Sequence, residues 1–251
     1  MAHASLWTGA RLSRAKVVSF LHNDARNAEA LLEAHRGQHP HALIVTEGIF
    51  SMDGDRAPLD ELTRIAAARG GAWLMVDDAH AVGMLNEGRG SKLDGGNVVQ
   101  IGTLSKALGA YGGFVCASRN VVDLIHNRAR TFVYATGLPP PTVAAAIVAL
   151  DLIAREPDYV ARPLANARLF TQRAGLPEAQ SPIVPVILRS ASAALEASRM
   201  LEAEGFLVVA IRPPTVPEGT ARLRLTFTAK HDKADIARLA DLVQSKVLAH
   251  A

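Results

Sequence analysis

A chain of 251 residues with 49 % hydrophobic content can bury a sizeable core, arranged as one large or two smaller domains. Its 27 Lys+Arg against 24 Asp+Glu leave a formal charge of only +3, and no basic block is interleaved with aromatics, so nucleic acid is not an expected partner. One cysteine, Cys116, excludes an internal disulfide and no zinc-type Cys/His spacing occurs, so a cytoplasmic setting is expected; with no signal-like N-terminus and no run of ~18 apolar residues, neither is a membrane.

Along the first two-thirds, short β-branched runs at 17–20, 42–46, 73–76, 98–101 and 114–117 read as strands. Between them, residues 25–35 and 59–69 carry apolar side chains at helical spacing. Such alternation predicts an α/β fold with a mostly parallel sheet covered on both faces, where ligands gather beyond the carboxyl ends of the strands. Pro139-Pro140-Pro141 then opens an alanine-rich helix over 142–154, since prolines suit a helix's first turn. Beyond it the pattern becomes a helix at 160–174, a strand at 183–188, a helix at 191–204, strands at 207–211 and 221–226, and a last helix at 233–249. The chain is thus expected to divide into a large domain over 1–157 and a smaller α+β domain over 158–251.

Gly102-Thr103-Leu104-Ser105-Lys106-Ala107-Leu108-Gly109 follows a buried strand and runs into a second glycine-rich stretch. Small residues admit a bulky ligand, the hydroxyls can bond an anion, and one lysine stands at the tip. Taken alone, the segment fits a surface lysine on a loop equally well. Upstream, Val76-Asp77-Asp78-Ala79-His80 ends another strand, where a carboxylate can hold a protonated ring nitrogen and a histidine three residues on can reach a ring oxygen. Asp78 could instead cap a helix, and Asp77 with His80 could begin a metal site, although no third ligand cluster stands at suitable spacing, so no metal is expected. Residues 46–55, with Ser51 between turn formers, lack the oxygen ligands of a calcium loop and predict a tight turn presenting the Ser51 hydroxyl. In Ala210 to Arg224, alternating arginines beside a proline-rich loop suit bidentate recognition of a carboxylate, or else an exposed strand kept soluble by its charges.

Together, in this order and spacing, these segments resemble the α-oxoamine synthases, a branch of the fold-type I pyridoxal-phosphate (PLP) enzymes, over the length of the chain. The resemblance implies a PLP-transferase large domain and PLP as cofactor. It makes Lys106 the lysine that forms the Schiff base, Asp77 the partner of the pyridine nitrogen, His80 and Ser51 contacts to the ring oxygen, Thr103 a phosphate contact, and His3 the histidine that stacks on the ring. Lys106, His3 and Asp77 would carry catalysis. Arg224, with Thr215 and Arg212, would bind substrate. The reaction implied is decarboxylative condensation of an amino acid with an acyl thioester. Arg212 with its Pro-Pro-Thr-Val-Pro run points to the branch that uses L-alanine and a pimeloyl thioester, with glycine and acetyl or succinyl donors as alternatives. Relatives carry on the order of a hundred or more residues before the position of His3, a domain-scale segment. The chain is therefore expected to be N-terminally truncated, a homodimer in its full-length form, and either active or a remnant that keeps the motifs without holding PLP.

Overall fold

The alternation of strand and helix is realised in the computed structural model, which describes residues 2–68, 71–93 and 95–250. The chain folds as two units, one of Ala2–Ile49 with Arg56–Pro157, the other of Phe50–Asp55 with Asp158–Ala251. A six-residue excursion from the first half of the sequence is thus built into the C-terminal unit.

The first unit contains α1 (Ala4–Leu12), α2 (Ala25–Arg36), β1 (Leu43–Glu47), α3 (Leu59–Ala68), β2 (Trp73–Asp77), β3 (Val98–Thr103), β4 (Gly113–Ala117), α4 (Arg119–Arg128), the one-turn α5 (Arg130–Val133) and α6 (Pro140–Arg155). The sheet order is β1-β2-β3-β4, parallel except for antiparallel β4. Register sets Glu47 beside Asp77 and Asp77 beside Ile101, so the carboxyl ends of three parallel strands lie level. Successive side chains alternate between sheet faces. Leu74 and Val76 of β2 are fully buried in a cluster with Ile44, Ala28 of α2, and Leu62, Ile65 and Ala66 of α3. Each such buried aliphatic side chain contributes about 1.5–3 kcal/mol.

Two expectations change here. Coverage is one-sided: Trp73, Met75 and Asp77, on the face away from α2 and α3, are half-buried, and β4 is mostly exposed. Residues 17–20 run without strand pairing, with Val17 and Val18 exposed; an extended segment needs a neighbour for its backbone groups, and β1 pairs only with β2. The third helix ends at Ala68, and Arg69, expected to close it, lies outside the described residues.

The C-terminal unit holds α7 (Pro157–Ala174) from Asp158 onward, β5 (Ile183–Arg189), α8 (Ala191–Ala203), β6 (Val209–Ile211), β7 (Ala221–Thr226) and α9 (Lys233–Leu242), the last continued by a π-turn at Val243–Val247 and a 3₁₀ turn at Leu248–His250. Its antiparallel sheet has the order β5-β7-β6. Helices and sheet share one core that includes Phe170, Leu201, Leu223, Leu225, Ile236 and Val243. Strand β6 starts at Val209 rather than at the expected 207, because the Val208 carbonyl accepts from the Ser198 hydroxyl and Leu207 stands in solvent. Since Leu223 and Leu225 face that core, Arg222 and Arg224 must face the other way. That outer face is where Phe50–Asp55 lies.

Candidate functional site

In the first unit the strand ends gather the sequence-selected groups. The Asp77 backbone is held from both sides: its carbonyl accepts from Gly48 N–H at 2.9 Å, and the next amide, Asp78 N–H, donates to Ile101 at 2.7 Å. One Asp77 carboxylate oxygen accepts from Ala79 N–H at 2.9 Å, and the carboxylate has no cationic partner among the described residues. After β3, the Thr103 hydroxyl donates to the Gly112 carbonyl at 3.1 Å and meets Ser105 Oγ at 2.7 Å, closing the loop that carries Lys106. Lys106 Nζ reaches His80 Nε2 at 2.9 Å, joining the two motifs across 26 positions of sequence. Lys106 is exposed and His80 half-buried.

His3 does not fray. Its backbone N–H donates to the buried Glu47 carboxylate, and its imidazole caps α1 by accepting from Ser5 N–H at 3.3 Å. The ring itself remains exposed. Thr103, selected as an anion contact, has its donor committed to Gly112, so an anion would have to draw that proton away.

The second unit separates the two arginines of β7. Arg222, 5 % exposed, pairs with Asp53 at 2.6 Å and donates to the Met52 carbonyl at 3.1 Å and the Thr220 carbonyl at 3.0 Å, which occupies its fork. Arg224 donates from Nε to the Ser51 carbonyl at 2.6 Å and from one terminal nitrogen to Thr226 Oγ1 at 3.1 Å, with no carboxylate partner among the described residues. Burial holds its guanidinium below the ordinary arginine pKa, the signature of a half-buried cation lacking an anion. Ser51 is buried in this turn. Arg212 and Thr215 are exposed on one turn, tied by Thr215 N–H to the Arg212 carbonyl at 3.0 Å and anchored by buried Val216.

The family model for aminotransferase class I and II matches residues 1–243. This chain belongs to that family. Within the family it is 58 % identical over 244 residues to an 8-amino-7-oxononanoate synthase of Granulibacter bethesdensis, covering 97 % of this chain and 64 % of that one. A serine palmitoyltransferase from S. paucimobilis with bound PLP and myriocin superposes with a TM-score of 0.87 at 30 % identity, over 97 % of this chain and 64 % of its own. An 8-amino-7-oxononanoate synthase from Francisella tularensis gives a TM-score of 0.80 at 28 % identity, over 99 % and 73 % respectively. The chain therefore spans just under two-thirds of the length of curated family relatives such as the Granulibacter protein.

One alternative left open by the sequence does not hold in this family member. Asp78 caps no helix, because residues 79–89 form turns; its carboxylate turns inward to Ser91 and Gln100. Burial raises its pKa above the ordinary aspartate value, hydrogen bonds from Ser91 and Gln100 counter this, and Asp77 adds to the rise. The signal available was the paired aspartate itself: two adjacent carboxylates on opposite faces of a strand end cannot share one role.

Proposed function

We propose that this chain carries the lysine and the substrate arginine of a PLP-dependent 8-amino-7-oxononanoate synthase, which condenses L-alanine with pimeloyl-CoA or a pimeloyl carrier protein and releases carbon dioxide. The observation that carries the reading is the Lys106–His80 contact of 2.9 Å beyond the carboxyl ends of parallel strands, with Asp77 ending the middle one. The donor set fits the cofactor group by group: an amine for its aldehyde, a carboxylate for its ring nitrogen, an imidazole for its phenolic oxygen, and loop hydroxyls for its phosphate. When bound, PLP withdraws electrons from the amino acid's α-carbon and so acidifies the proton there.

The chain's own groups then have separable tasks. Asp77 keeps a proton on the ring nitrogen, because a carboxylate beside a cation favours the charged form. Lys106 takes the α-proton of alanine and returns one after carbon dioxide leaves. His80, within hydrogen-bond reach of Nζ, orients that amine. His3 packs its exposed ring on the cofactor, and Thr103 turns its hydroxyl to the phosphate. Arg224 receives the alanine carboxylate, with Arg212 and Thr215 as further substrate contacts. The 58 % identity to the Granulibacter synthase supports alanine and the pimeloyl donor. A homodimer is part of the proposal; Val143, Ile147 and Leu150, exposed at helical spacing on α6, are apolar surface for it to cover. Among the described residues no helix is long and apolar enough to cross a membrane.

The test is hydride trapping after PLP addition, followed by peptide mapping. The adduct is expected on Lys106; on another lysine, or on none in a folded sample, the reading fails. Turnover is then measured with pimeloyl, acetyl, succinyl and palmitoyl thioesters against alanine, glycine and serine. Alanine with the pimeloyl donor is expected to lead, and leadership by another pair moves the assignment within the family.

A further inference from the structure

We infer that Asp78 is the positioning residue that fixes Asp77 and His80 for the cofactor, by locking the 79–91 turn to the end of the sheet; this rests on the PLP reading above. The Asp78 side chain is completely buried. Oδ2 accepts from Ser91 N–H at 2.6 Å and from Gln100 Nε2, and Oδ1 accepts from Ser91 Oγ at 2.6 Å. Gln100 belongs to β3 and its amide also reaches the Ser91 carbonyl at 3.3 Å. One carboxylate therefore ties the end of β2, the neighbouring strand and the far end of the turn. The chain between Asp78 and Ser91 contains Ala79, whose amide holds Asp77, and His80, which holds Lys106.

The surroundings are shaped to this carboxylate. A Cβ at Gly48 would overlap Asp78 Oδ1 and Ser91 Oγ, and one at Gly90 would stand 2.6 Å from Asp78 Oδ2. Gly90 also has φ +92, where side chains are strained. Three donors converge on a carboxylate that itself has no route to water, so removing the acceptor leaves all three unsatisfied.

The experiment compares Asp78→Asn, Asp78→Ala and Ser91→Ala in the full chain. Asparagine can keep the pattern: Oδ1 accepts from Ser91 N–H and Gln100, while Nδ2 donates to Ser91 Oγ, which accepts as readily as it donates. Two readouts are taken, amide hydrogen exchange over 79–91 without PLP, and PLP affinity from visible absorbance with borohydride-fixed adduct as a check. Asp78→Ala is expected to speed exchange and to weaken PLP binding by at least about tenfold, the equivalent of ~1.4 kcal/mol. Asp78→Asn is expected to stay within about twofold of the parent in both, and Ser91→Ala, which removes one donor and remains folded, to fall between. Unchanged exchange in both Asp78→Ala and Ser91→Ala overturns the inference, as does an Asp78→Asn variant that loses PLP with exchange unchanged, which would assign the role to charge. A parent chain that binds no PLP defeats the functional reading instead, and the exchange contrast alone then decides whether Asp78 holds the turn.

Discussion

Replacing Arg222 with methionine removes the centre of the clamp that holds Phe50–Asp55 within the C-terminal unit. The guanidinium is 5 % exposed and its partner Asp53 32 % exposed, so the pair is sealed on the arginine side and partly solvated on the other. Deleting one partner of a buried pair costs about 3–5 kcal/mol, and the partial exposure of Asp53 argues for the lower end. The Met52 and Thr220 carbonyls also lose a charged donor, each such bond being worth about 1.5–3 kcal/mol when fully buried. These contributions overlap, and a loss of about 3 kcal/mol is expected. For a unit of this size each kcal/mol moves the midpoint by roughly 4–8 °C, so a drop beyond ~10 °C should be visible by far-UV circular dichroism. A loss below ~0.5 kcal/mol would refute the clamp.

Lys106→Ala should carry no borohydride-fixed PLP adduct by intact mass, while its circular dichroism spectrum matches the parent. Asp77→Ala should slow deuterium exchange at the α-carbon of alanine about tenfold for each unit by which the ring nitrogen's pKa falls, and an unchanged exchange rate would count against Asp77. Arg224→Lys loses the planar fork, so KM for alanine should rise by roughly tenfold to a hundredfold with KM for the acyl donor unchanged. Asp241 and Glu204 have carboxyls held below the ordinary range by Arg173 and Lys246. Their contribution is therefore present above the ordinary carboxylate value and lost as pH falls through the lowered one. Asp78, raised by burial, has the opposite sign: its contribution is present below the ordinary value and lost as pH rises through the raised one. Melting curves from about pH 3 to 7 should show Asp78→Asn gaining on the parent as pH rises, and Asp241→Asn losing ground.

Much of the first unit's architecture was legible because it is local. The alternation in Trp73–Asp77, with Leu74 and Val76 inward, already implies that Asp77 emerges on the opposite face at a strand end. Lys106 likewise follows β3 within a loop whose hydroxyls and glycines are contiguous in sequence. Residues 17–20 have the composition of a strand and form none, since pairing is decided by whether a neighbour exists and not by propensity alone.

By itself the sequence determined which groups were available: a lysine after one strand, an aspartate and a histidine after another, and two arginines alternating on a third. Tertiary structure decided which were still available for chemistry. Arg222 and Arg224 are equivalent by pattern, and only contacts 169 to 173 positions away commit the first to Asp53 and Met52 while leaving the second without an anion among the described residues. Asp77 and Asp78 are likewise adjacent and identical, and what separates them is a buried serine and glutamine 13 and 22 residues downstream. The reason is physical: a side chain's type is a local property, but its burial and its hydrogen-bond partners depend on what the rest of the chain brings beside it.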